Sequence, residues 1–167
     1  MKLISIDPSS SAAGFAYFAN NRLMWAKTIV CKKDNLIDRM IELSFELQRL
    51  LNKHKPDYIA IETPYLGLNR AVSMKMGQIY GMFISACVLN TKGTMFVSKD
   101  IISIHPMTAK RAAGLITKVK RAEGKKIVLA RLNDKFPKIE IADDNSADAI
   151  AVGLAAIEQL KKEQKNE

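Results

Sequence analysis

The sequence predicts an α/β domain in which a mixed sheet is flanked by helices. Three observations predict it. Three strand-like runs open the chain in succession, helical and strand-like segments alternate after them, and 48% of the 167 residues are apolar. That apolar share is enough for one globular core. No internal repeat, low-complexity stretch or interdomain linker interrupts it. Residues 1–162 are therefore expected to form one domain, with 163–167 as a frayed tail.

Met1 to Asp7 reads as a buried strand ending on an acid. Ser9-Ser10-Ser11 turns the chain, Ala13 to Ala19 continues as a second strand, Asn20-Asn21 signals a hairpin, and Leu23 to Val30 returns as a third strand. Such a start argues against a dinucleotide-binding domain, where a crossover helix follows the first strand. Asp34 or Asn35 caps a helix to about Lys53, with Leu36, Met40, Leu43, Leu47, Leu50 and Leu51 at spacings of three and four. Lys53-His54-Lys55-Pro56 ends it, with cations at the negative end of the helix dipole.

Tyr58 to Ile61 is a second buried strand that ends on an acid, Glu62. Asn69 to Leu89 predicts a helix with Val72, Met76, Ile79, Phe83 and Cys87 on one apolar face and Gly77 and Gly81 on another. Thr94–Ser98 and Ile101–Ile104 supply one or two short strands. Pro106 opens a helical, basic region, and a last helix runs from about Ser146 to Lys161 with Ile150, Leu154, Ile157 and Leu160 as its apolar side.

Charge and cysteine usage narrow the function. A net charge of +9 favours a polyanionic partner. The N-terminus begins directly in a strand-like run, and no apolar stretch reaches the ~20 residues that span a bilayer, so neither a signal peptide nor a membrane role is expected. Cys31 and Cys87 stand outside any CxxC pattern and read as reduced core thiols of a cytosolic protein. With His54 and His105 the only histidines, a structural zinc site is not expected, and any metal would need oxygen ligands.

Asp7 and Glu62 are the most informative residues. Each ends an apolar strand and so sits near the core on a rigid element, where a charge is costly unless it is paired or binds a metal. A lone acid of this kind more often simply meets solvent at its strand end, but here a third, Asp148, opens the last helix. Asp148 has an alternative reading as the N3 partner of an Asn145 N-cap. Three carboxylates from distant positions suit Mg²⁺, a hard cation. Two such ions can drive phosphodiester cleavage without histidine or cysteine.

These residues carry a resemblance. Ile6-Asp7-Pro8-Ser9-Ser10 with Gly14, Asp57 to Glu62, then Asn69, Gly77, Gln78 and Gly81, and finally Ala147 to Ala151 resemble the RuvC family of Holliday junction resolvases over nearly the whole chain. The resemblance implies an RNase H-like fold, a homodimer, and hydrolysis that needs Mg²⁺ or, in its place, Mn²⁺. It implies paired nicks on two strands of branched DNA, with Asp7, Glu62 and Asp148 as metal ligands. Tyr65 falls where the family carries an aromatic that enters the junction, although it also reads as a packed surface tyrosine. Lys125 matches a lysine near the scissile phosphate, and Asn69 is carried over as a DNA contact.

The chain departs from the family at the acid three residues before the last ligand, where it has Asn145. Asp144, at i−4 from Asp148, shares its helix face and is slightly preferred as the substitute, with the Asn145 carbonyl oxygen as the alternative. The sequence does not reveal whether a cell or a virus encodes the chain, and its divergence from typical cellular members is compatible with a phage-encoded branch. Between His105 and Arg131 lie eight bases and one acid, Glu123. Such a run is usually a solvated face. Beside clustered acids it reads better as a phosphate-contacting surface, with Lys110, Arg111, Lys118, Lys120, Arg121, Lys125 and Lys126 as candidate contacts.

The expected function is thus a cytoplasmic, nucleoid-associated DNA endonuclease. Alternatives are a branched-DNA binder with a weakened metal site, and an RNA-cutting relative. An actin-like ATPase would need two such domains, for which the chain is too short. The sequence identifies no helicase or recombination partner.

Overall fold

In the computed structural model the described residues are 1–64, 67, 69–89, 100–115 and 121–166. Strands β1 (Lys2–Asp7), β2 (Ala12–Ala19) and β3 (Arg22–Val30) form an antiparallel meander. Asn20 and Asn21 join β2 to β3 with φ of 51° and 62°. This is the mirror-image turn whose twist matches a hairpin, and asparagine tolerates it.

Helix α1 (Leu36–His54), strand β4 (Tyr58–Glu62), helix α2 (Arg70–Val88), strand β5 (Ile101–Ile104) and helices α3 (Pro106–Ala112), α4 (Arg121–Lys135) and α5 (Asp144–Asn166) follow. The sheet order is β3-β2-β1-β4-β5, with β4 parallel to both β1 and β5. This is the mixed, helix-flanked sheet that the sequence predicts. Ile101–Ile104 is the last strand, whereas Thr94–Ser98 falls outside the described residues. The last helix runs past Lys161 to Asn166.

Side chains alternate across the sheet and divide the core in two. Ile4, Ile6, Ile59 and Ile61 pack with Leu43, Leu47, Leu50 and Leu51 of α1 and with Ile79 and Phe83 of α2. Leu3, Ala16, Phe18 and Ala60 pack on the other side with α3, α4 and α5. Burying each α1 leucine stabilises the fold by about 1.5–3 kcal/mol. Cys31 and Cys87 are buried free thiols. Burial pushes the Cys87 thiol up to about 12, which leaves it unreactive.

One helix face differs from its expectation. Ile79, Phe83 and Cys87 are buried as predicted, but Val72 is 54% exposed and Met76 lines a cleft. The buried residues of α2 thus lie in its second half, from Ile79 on, while its first turns border the cleft.

Candidate active site

Strand alternation decides where the acids emerge. Leu3 and Ser5 of β1 face α5, where the Ser5 hydroxyl donates to the Ala149 carbonyl at 2.7 Å. Asp7, two residues on, shares that face. On β4, Ala60 faces α5, so Glu62 does too. The parallel register sets Ile6 against Ile61, which brings Asp7 and Glu62 to the same end of adjacent strands. Sequence alone had placed each acid at a strand end. The register makes them neighbours.

Helix α5 carries Asp148 to the same point, and its start corrects a reading of the sequence. The cap is made by Asp143 and Ser146, not by Asn145 and Asp148. Asp143 Oδ1 accepts the Ser146 N–H at 2.9 Å, and the Ser146 hydroxyl oxygen accepts the Asp143 N–H at 3.2 Å. The Thr28 hydroxyl donates to the same Asp143 oxygen at 2.6 Å, tying the helix start to β3. Burial alone would raise the Asp143 carboxyl, but the hydrogen bonds from Ser146 and Thr28 bring it below its ordinary value. The helix therefore begins at Asp144, earlier than expected, and Asp148 lies a full turn inside it.

Asp7, Glu62, Asn145 and Asp148 line a cleft of about 510 Å³, together with Lys110 from α3 and Lys125 from α4. Burial, followed by the charges of Glu62 and Asp148, raises the Asp7 carboxyl well above its ordinary value, with Lys125 and Lys110 opposing. A carboxyl so placed gains from a cation. Lys125 Nζ lies 3.3 Å from Asp144 and 3.9 Å from Asp148. Of the two residues weighed for a fourth ligand, Asn145 lines the cleft, whereas Asp144 is absent from its walls and pairs with Lys125.

The donors are oxygens, as a hard cation requires. Among the described residues no group of three or more acid, histidine or cysteine side chains is close enough, as the side chains stand, to hold a metal ion. Oxygen donors lining an open cleft suit a hard divalent cation that keeps several of its waters.

Asn69 also lines the cleft and caps α2, accepting the Val72 N–H at 3.2 Å. Arg111 and Lys126 are exposed and are not among the cleft walls. Tyr65, Lys118 and Lys120 lie outside the described residues, and Arg121 begins α4. Sequence reading missed Thr63, Ser73 and Tyr80 as cleft residues. A signal was present, because Asn69, Ser73, Met76 and Tyr80 recur at spacings of four, three and four on one face of α2.

Comparison with known proteins agrees with this geometry. The signature of the family described as crossover junction endodeoxyribonuclease RuvC matches residues 3–156. The RuvC of Chlamydia muridarum is 27% identical, over 96% of each chain. That of Campylobacter curvus is 29% identical, over 96% of this chain and 98% of the relative. Among solved structures, Thermus thermophilus RuvC in complex with a Holliday junction substrate aligns with a TM-score of 0.75 at 17% identity, covering 97% of this chain and 96% of that one. Fowlpox virus resolvase aligns with a TM-score of 0.56 at 17% identity, covering 96% and 99%. These likenesses show the RNase H-like fold that the resemblance implied. The chain belongs to the RuvC family of crossover junction endodeoxyribonucleases.

Proposed function

We propose that this chain is a divalent-metal-dependent endonuclease that resolves Holliday junctions and other branched DNA by paired nicks. One observation carries the reading: Asp7, Glu62 and Asp148, from three distant segments, line one cleft with Lys110 and Lys125. Asp7, Glu62 and Asp148 hold the ions, with Mg²⁺ as the physiological metal and Mn²⁺ able to replace it. When bound, the ions activate the attacking water and stabilise the leaving oxygen. Lys125 donates to the phosphate as charge develops, and Lys110, also in the cleft lining, contacts the strand. Arg111 and Lys126 extend the basic surface outward, and Asn69, Tyr65, Lys118, Lys120 and Arg121 complete the DNA contacts read from the sequence. Among the described residues no helix is long and apolar enough to cross a membrane. The proposed setting is the cytoplasm, on DNA.

The enzyme acts as a homodimer through α2. Support comes from its outer face, where Gly77 and Gly81 have open space around them and Met74 is 65% exposed. Small residues there let a second helix approach closely, and two-fold symmetry matches two active sites to a two-fold junction.

The test is a labelled synthetic four-way junction incubated with Mg²⁺ or EDTA, with Glu62→Gln as control. Paired nicks that require both Mg²⁺ and Glu62 support the proposal. Asn145 in the cleft wall favours one rival, a junction binder with a weakened metal centre. Tight junction binding with no cleavage in Mg²⁺ or Mn²⁺ would establish that rival instead.

A further inference from the structure

We infer that Asp144 is a positioning residue for Lys125, and that Asn145, not Asp144, supplies the fourth oxygen facing the metals. The inference rests on Asp7, Glu62 and Asp148 being the metal ligands. Two observations carry it. The Asp144 carboxylate is 44% exposed and outside the cleft walls, while Asn145, Asp148 and Lys125 form part of them. Lys125 lies between two carboxylates one helical turn apart, 3.3 Å from Asp144 and 3.9 Å from Asp148.

An ammonium beside a metal ligand poses a problem that this arrangement solves. A lysine that reached Asp148 alone would compete with the cation for the same carboxylate. Asp144 sits on the same side of α5, one turn nearer the solvent, and draws the ammonium toward itself. An ammonium has three N–H donors. Asp144, at 3.3 Å, engages one, and Asp148, at 3.9 Å, lies beyond hydrogen-bond reach of the ammonium, which leaves two for a phosphate oxygen. Asp144 thus restrains a flexible four-carbon stem and holds the ammonium nearer to itself than to Asp148. Asn145, neutral and in the cleft wall, adds an oxygen donor without further negative charge.

Two measurements test this on the full-length protein. Calorimetric titration with Mn²⁺ alone, without DNA, separates ligands from positioning residues. In a Lys125→Met background, Asp144→Asn should leave Mn²⁺ affinity within about twofold. Asn145→Ala should weaken it, and Asp148→Asn should weaken it at least tenfold, as expected for metal-site residues. Junction cleavage at saturating Mg²⁺ is the second measurement. Asp144→Asn should lower kcat by about 10- to 100-fold, the usual range for groups that orient a site. KM should stay unchanged, Asp144→Glu should restore most of the rate, and Asp144→Asn should add nothing to Lys125→Met. A tenfold loss of Mn²⁺ affinity on adding Asp144→Asn to Lys125→Met would overturn the inference. So would failure of Asp144→Glu to restore the rate. Should Asp148→Asn leave Mn²⁺ affinity intact, the metal-centre reading itself falls, and the inference with it.

Discussion

A side-chain carbon added to Gly14 would lie 1.9 Å from the backbone carbonyl oxygen of Asn145. The second strand and the start of the last helix thus touch backbone to backbone, directly beside Asp7, which pairs with Gly14 across the antiparallel register. Any side chain at position 14 must push α5 outward and carry Asp148 away from the other two acids.

Gly14→Ala is therefore expected to destabilise the fold by about 1–3 kcal/mol, the usual range for overpacking. At about 2–4 °C per kcal/mol, thermal denaturation should register a clear fall in Tm. Cleavage at 25 °C, where the variant remains folded, should fall further than stability alone explains. Wild-type activity in a folded Gly14→Ala protein would refute this account of how α5 is seated.

Asp7 makes the metal-free protein less stable than its fold could be. Its carboxyl is raised above the ordinary 3.8 by burial and by Glu62 and Asp148. The folded chain therefore holds this proton more tightly than the unfolded chain does. Stability falls as pH climbs from about 3.8 through the raised value, and the full cost is present once the group is ionised. In EDTA at neutral pH, Asp7→Asn should raise Tm while abolishing cleavage, and Mg²⁺ should raise Tm of the wild type only. Proton and metal compete for the same carboxyl, so cleavage at limiting Mg²⁺ should weaken on acidification and recover with added metal. A pH profile indifferent to Mg²⁺ concentration would contradict this.

Asp143 acts in the opposite sense. Its carboxyl is held below the ordinary value, so its contribution is present above about 3.8 and is lost as pH falls through the lowered value. Asp143→Ala removes the α5 cap and should cost about 0.5–2 kcal/mol at neutral pH. Chemical denaturation at pH 7 and pH 3 checks both parts, because the difference between variant and wild type should shrink at the lower pH.

If α2 forms the dimer contact, a charge on its outer face should separate the subunits. Met74→Lys combined with Gly81→Arg should convert a dimer to a monomer in sedimentation velocity. Both positions face solvent in the single chain, so the fold should survive. On a four-way junction the monomer should give single, unpaired nicks. A wild type that sediments as a monomer well above the concentrations used for cleavage would exclude the dimer.

Much of this protein is determined by short-range features that a linear reading captures. The Asn20-Asn21 turn, the leucine spacing of α1 and the apolar runs ending on Asp7 and Glu62 depend only on local preference and period, and each is where the sequence places it. Family membership was legible too, because acids at those strand ends and in the last helix recur in order. Tertiary structure decided what local preference leaves degenerate. Asn145 and Asp143 are both competent caps, and the Thr28 hydroxyl of a strand more than a hundred residues away favours Asp143. Asp144 and Asn145 are both oxygen donors, and only the rotation of α5 against the sheet turns one toward Lys125 and the other into the cleft. That rotation is set where Gly14 lets two backbones meet, a contact no reading of either segment alone contains.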